Sequence, residues 1–223
     1  MQTLPAVLPA VLTSFLCACV IAVGQGSCAD TRVGSGMEAT ESRGVGEFSR
    51  LHVGGSATVT ASTGEETSVI LRCDDNLLPY VRTEVKGETL HVSMVSGSYQ
   101  FKSGLEVTIV SPRLAQVGVS GAGNATVSGV DEDHFEANVS GAGNLHVSGR
   151  ADTVDVRVSG AGNLDLSQLT ARAGEVHVSG AGGVEINARE SLAAHVSGAG
   201  HVHYAGNPDV EQHVSGAGSV SRK

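Results

Sequence analysis

From residue 116 onward the chain alternates apolar and polar positions in short runs, and the runs recur. Val-Ser-Gly-Ala-Gly stands at 119–123, 139–143, 158–162, 178–182, 196–200 and 214–218, so successive starts lie 20, 19, 20, 18 and 18 residues apart. A period near 20 with β-type composition marks a solenoid in which each repeat forms one coil. After each Gly-Ala-Gly comes a segment such as Asn124-Ala-Thr-Val-Ser, Asn144-Leu-His-Val-Ser or Asn163-Leu-Asp-Leu-Ser, apolar at its second and fourth residues. Period-two alternation is a strand with one buried face. Val119, Val139, Val158, Val178, Val196 and Val214 precede the corners and form one column. Four residues before each stand Phe135, Val154, Gly174, Leu192 and Val210, a second column.

Stacking such coils turns each column into a ladder with a rise of about 4.8 Å. The corners fall at Gly121 and Gly123, Gly141 and Gly143, Gly160 and Gly162, Gly180 and Gly182, Gly198 and Gly200, and Gly216 and Gly218. Glycine there admits positive φ and close backbone approach. Ser120, Ser140, Ser159, Ser179, Ser197 and Ser215 form a column expected to exchange hydroxyl hydrogen bonds, with an amide ladder of Asn124, Asn144 and Asn163 beside it. The expected fold is all-β: a parallel β-helix of 18–20 residues per coil, right-handed because parallel crossovers favour that hand.

Residues 30–115 are less regular and are expected to cap the solenoid or to begin it, continuous with the coils of 116–223. Val53-Gly-Gly-Ser-Ala-Thr-Val has the rhythm of a degenerate repeat. Thr67–Arg72 and Leu105–Val110 read as strands, Asn76-Leu-Leu-Pro-Tyr as a turn or one helical turn, and Val81–Val85 with Thr89–Met94 as a hairpin around Lys86-Gly-Glu.

Residues 1–29 carry no charged side chain and hold an apolar run from Leu4 to Val23. They read as a secretory signal peptide, with small residues Ser27 and Ala29 before a cleavage point at Asp30. Two alternatives remain: a lipoprotein signal, Leu16-Cys-Ala-Cys, with a lipid anchor on Cys19, and an uncleaved membrane anchor. All three export the remainder to the periplasm, cell envelope or extracellular space. Cleavage at Ala29 leaves Cys73 as the one remaining cysteine, read as a small buried hydrophobe.

Asp and Glu number 23 against 14 Lys and Arg, a net charge of −9, which argues against a nucleic-acid partner. Tryptophan is absent and aromatics make up 3%, so the core must be Val, Leu and Ala, and a sugar-stacking platform is missing. Gly-Ala-Gly lacks the third glycine and the following helix of a nucleotide fingerprint. No catalytic constellation and no cofactor motif is visible, and Asp131-Glu-Asp suits a solvated loop better than a calcium site, which needs six to eight oxygens.

Histidine is the residue type with candidate chemistry. Gly118, Asn138, Arg157, His177, His195 and His213 precede the repeated valine, and the three histidines should stack outward. Imidazoles about 5 Å apart can share zinc or copper. A solvated polar face is the plainer account, so no metal is assigned. If stacked, these imidazoles should repel on protonation and loosen the last coils at roughly pH 6. A second outward column runs Thr126, His146, Asp165, Glu185, His203 and Ser221.

Gly44-Val-Gly-Glu-Phe-Ser-Arg-Leu-His-Val-Gly-Gly-Ser-Ala-Thr-Val, Cys73-Asp-Asp-Asn-Leu-Leu-Pro-Tyr-Val-Arg-Thr-Glu-Val-Lys-Gly-Glu-Thr-Leu and the Ser-Gly-Ala-Gly-Asn repeats together resemble the autotransporter-adhesin head GIN domain family of bacterial envelope proteins, over residues 44–220. The resemblance implies a β-helical, exported or envelope-attached protein and transfers no catalytic residue. The reading is therefore a non-catalytic envelope module for binding, adhesion or scaffolding. Its partner would be an envelope or surface ligand, protein or polysaccharide, and no oligomeric state is assigned. A carbohydrate-active or metal-binding envelope protein is the alternative.

Overall fold

The computed structural model describes residues 31–223; the leader, with Cys19 and the expected cleavage between Ala29 and Asp30, lies outside the described residues. The chain folds as a β-solenoid of about 5 turns. Its strands are β1 (Thr31–Val33), β2 (Glu38–Arg43), β3 (Arg50–Gly55), β4 (Thr58–Thr63), β5 (Ser68–Asp74), β6 (Val81–Lys86), β7 (Thr89–Met94), β8 (Ser98–Gln100) and β9 (Glu106–Ser111). The repeated part follows as β10 (Gln116–Gly121), β11 (Asn124–Gly141), β12 (Asn144–Gly160), β13 (Asn163–Gly180), β14 (Gly183–Gly198), β15 (His201–Ala205), β16 (Asp209–Gly216) and β17 (Ser219–Arg222). The Asn76-Leu-Leu-Pro-Tyr segment carries a short 3-10 turn at Leu78–Tyr80, with its proline in the first turn.

The coils from β10 onward pair in parallel and in register. Val119, Val139, Val158, Val178, Val196 and Val214 are partners rung by rung, as are Phe135, Val154, Gly174, Leu192 and Val210. The valine column is buried until the last rung, where Val214 is 43% exposed at the open end. Gly174 breaks the second column, and its neighbours fill the gap: a Cβ there would meet Ile186 Cδ1 at 2.8 Å and Leu192 Cδ1 at 3.3 Å.

Each corner uses its glycines for two physical reasons. The first takes φ between +104° and +123°, a region costly for any residue with a Cβ. The second leaves no room: a Cβ on Gly143 would meet the Gly123 carbonyl at 2.5 Å and Val119 Cγ1 at 2.9 Å. That closeness lets the ladder continue around the bend, with the Ala142 N–H donating to the Gly121 carbonyl at 2.8 Å and the Asn144 N–H to the Gly123 carbonyl at 3.1 Å.

Coil length varies at the other bends, not at the glycine corner. Leu166 faces Ile186 and Ala173 faces Ser191, so seven steps on β13 oppose five on β14. This difference of two accounts for a 20-residue coil stacked on an 18-residue one.

The N-terminal half shares the columns but not the order. β10 rests on β3, with Val119 facing Val53 and Gly121 facing Gly55, so the degenerate repeat is a true rung. β4 pairs with β11 on one side and β9 on the other, while β3 pairs with β7. The coil 50–63 is thus sandwiched between the coil that starts at β10 and the one made by β7 and β9. After β4 the chain runs to the far end through β5 to β9 and only then returns at β10. The far end closes with antiparallel pairs, β6 with β7, β5 with β9 and β2 with β5. The stacked coils end there, β1 and β8 form a separate parallel pair, and the alternating charges of Arg82, Glu84 and Lys86 line the outermost strand β6, a usual guard against edge-to-edge pairing.

A buried carboxylate ties this cap together. Asp74 accepts hydrogen bonds from the Gly36 N–H (2.7 Å), the Lys102 N–H (2.9 Å), the Ser103 N–H (3.3 Å) and the Ser103 hydroxyl (3.3 Å). Burial alone would raise its pKa, but these donors outweigh it and hold Asp74 below its ordinary value. Beside it, Cys73 is buried, and its thiol is pushed up to about 11 by burial and then by Asp74.

Candidate functional site

The outward face that leads into the glycine corner carries three adjacent columns. Strand alternation places every second residue outward, so Ser, His and Glu positions spaced by two share this face. Nearest the corner runs the serine column. Next comes His177, His195 and His213, continued on the other side by Arg157, Asn138 and Gly118. Two residues earlier lies a column of Glu136, Asp155, Glu175 and Glu211, acidic except at the Ala193 rung.

The histidine rings stack. His177 and His195 have centroids 4.8 Å apart with planes 9° from parallel, and His195 and His213 are 5.2 Å apart at 21°. Glu175 Oε1 is 2.8 Å from His177 Nε2. That contact, followed by electrostatic interaction with His177, His195 and Arg157, holds the Glu175 carboxyl below its ordinary value. A groove of about 310 Å³ runs along the stack, and one of about 380 Å³ lies on its acidic side, where Ala173, Ser191 and Ala193 leave the floor open.

The same column continues into the N-terminal half. Gly118 faces His52, and His52 faces His91. Their rings lie 5.6 Å apart, tilted at 55°. His52 Nε2 is 3.2 Å from the Ser120 hydroxyl, and burial, then His91, hold its imidazole below the ordinary value. The His-Val pair that marks this column also occurs at 52–53 and 91–92. That pair was the available signal for these two residues. Glu175 had a signal too, since Glu-Val-His puts both polar residues on one face of a strand.

The second outward column is in register as expected, from Thr126 through His146, Asp165, Glu185 and His203 to Ser221. Its members pair with one another. His146 Nδ1 is 2.9 Å from Asp165 Oδ2, His203 Nδ1 is 2.9 Å from the Ser221 hydroxyl, and Lys223 reaches Glu185 at 2.7 Å.

The asparagine ladder forms: Asn144 donates to Asn124 at 2.8 Å and Asn163 to Asn144 at 3.1 Å. The serine ladder does not. Among the described residues no hydrogen bond joins two serines of the column, and Ser120 turns to His52 and to the Val53 carbonyl. In-register hydroxyls stand about 4.8 Å apart, beyond hydrogen-bond reach, whereas the longer amide spans that rise. Asp131 and Glu132 are held by arginines of adjoining coils, Arg150 at 2.6 Å and Arg113 at 2.8 Å, which makes the acid run a cross-coil tie.

The sequence matches the family described as "Putative auto-transporter adhesin, head GIN domain" over residues 47–208. The chain belongs to that family. No curated protein matches it. Solved structures of the same fold include a putative adhesin from Bacteroides fragilis, 24% identical with a TM-score of 0.69, covering 86% of this chain and 99% of that one. A putative adhesin from Parabacteroides merdae is 22% identical with a TM-score of 0.59, covering 87% and 100%. A protein from Parabacteroides distasonis named as a putative lipid binding protein is 20% identical with a TM-score of 0.58, covering 86% and 99%. At these identities the likeness is one of fold, and this family member shares its stacked coils with them.

Proposed function

We propose that this protein is an exported, non-catalytic module of the bacterial cell envelope that binds an extended partner, in adhesion or as a scaffold. The observation that carries the reading is the register. Identical outward side chains recur rung after rung, as with Ser140, Ser159, Ser179 and Ser197. A surface with a repeat of about 4.8 Å suits a polymer that offers the same group many times, a polysaccharide or an extended peptide. Family membership supports adhesion, and the uncharged apolar leader supports export.

The test uses the protein expressed with its own leader and screened against envelope polysaccharides and surface proteins. Saturable binding without product, lost when Ser159→Arg or Asn144→Arg roughens the face but leaves the fold intact, supports the reading. Turnover of any glycan, or binding indifferent to both changes, overturns it. Mass spectrometry of the same material should find a chain starting at Asp30 or a lipid on Cys19.

A further inference from the structure

We infer that the coils nearest the C-terminus carry a divalent transition-metal site built by Glu175, His177 and His195. The carboxylate oxygen of Glu175 and ring nitrogens of His177 and His195 lie within 4.8 Å of one another, the one such group of three or more among the described residues. The inference is independent of the adhesion reading, because it concerns a small ion and not the extended partner.

Geometry favours an ion here over the other histidines. The backbone already fixes the spacing, since His177 and His195 are register partners on adjacent strands. Tetrahedral zinc at 2.0–2.1 Å needs donors about 3.4 Å apart, so closure takes about 1 Å of approach together with a turn of the stacked rings that aims both nitrogens at the ion. Both rings border open grooves, and Ala193, the partner of Glu175 on the next rung, leaves space for an ion beside His195. His213 stacks on His195 at 5.2 Å but stands two rungs from His177, so water completes the set. By contrast, His146 and His203, which meet Asp165 and Ser221, belong to no such group of three, and His52 is half-buried against Ser120.

The donor chemistry selects the class of ion. Two imidazoles with one carboxylate suit zinc or copper(II), whereas magnesium and calcium want oxygen throughout. An entering ion takes the place of the proton between His177 Nε2 and Glu175 Oε1, and that proton leaves to solvent. Binding would tie β13 to β14 across an exposed face and so stabilise the coils that end the solenoid.

Zinc chloride is the probe, applied to protein stripped with chelator and carrying no histidine tag. Equilibrium dialysis should give one zinc per chain, and zinc should raise the melting temperature. The triple variant His177→Ala, His195→Ala, His213→Ala should lose both effects while keeping its circular dichroism, since all three side chains lie on the outer face. Glu175→Gln should weaken zinc binding by about tenfold with the metal-free melt unchanged. The paired variant His146→Ala, His203→Ala should bind zinc as the parent does. No zinc binding by the parent, full binding by the triple variant, or equal loss in the His146/His203 variant would each overturn the site.

Discussion

A Cβ added at Gly160 would meet the Gly141 carbonyl at 2.5 Å, whereas at Gly55, the same corner in the N-terminal half, it would meet nothing within 4 Å. Both glycines have positive φ, +113° and +94°. The corner conformation is therefore shared, and what differs is the neighbour. In the repeated coils one glycine corner rests on another, and identical sequences make identical rungs. Gly55 supports Gly121 on one side, but on its other side the chain has left for the cap. The repeated half is held by likeness between rungs, the N-terminal half by particular contacts such as the Asp74 network. The first tolerates change in coil length at its bends; the second depends on single side chains.

Substitutions in the two halves should behave differently. Val158→Asp places an unpaired charge in a column that is 2% exposed and flanked by valines above and below. It should cost several kcal/mol, the largest effect here, read as a collapse of the melting temperature. Gly160→Ala should be next. The strain of positive φ, about 1–2 kcal/mol, applies equally to Gly55→Ala. The backbone clash applies to Gly160 alone and adds about 1–3 kcal/mol of overpacking. Urea melts of the two variants would show that difference; equal losses would mean the corners are not stacked.

Asp74→Asn tests the other half. Asp74 has a folded pKa below its unfolded value of about 3.9, so its contribution is present above that value and is lost as pH falls through the folded value. The variant should be less stable at neutral pH, and the gap to the parent should narrow on acidification below about pH 4. Hydrogen exchange should place the loss around Gly34–Met37 and Lys102–Ser103, where the donors lie. Exchange spread evenly over the coils would contradict a local tie. Ser159→Ala should have the smallest effect, under about 1 kcal/mol, because the hydroxyl faces outward and bonds no other serine.

How much of this was legible depends on whether likeness or particularity made each part. The coils could be read because Val158, Leu164 and Gly160 have counterparts at fixed spacing, and stacking like on like needs no knowledge of distant residues. The place of Val53 as a rung was legible for the same reason. The excursion between β4 and β10 was not. Nothing local in residues 64–115 says that β7 and β9 pass beneath the coil already made by β3 and β4, since such pairing is set by contacts far apart in sequence. His52 and His91 were hidden by that excursion, because their column reaches His177 only through Gly118, Asn138 and Arg157. Glu175 was legible from Glu-Val-His and from its acidic column, which is interrupted at Ala193. The serine ladder was over-read: identity of side chains gives a column, but hydroxyls are too short to bond across the rise.

The Val-Ser-Gly-Ala-Gly corners lie directly over one another. Spin labels on Ser140→Cys and Ser215→Cys, with Cys73 changed to alanine, test this most directly. These positions are four rungs apart in the register, so their backbones should stand about 19 Å apart, with a narrow distance distribution. A broad distribution, or a separation above about 40 Å, twice what four rungs allow, would show that the corners are not stacked.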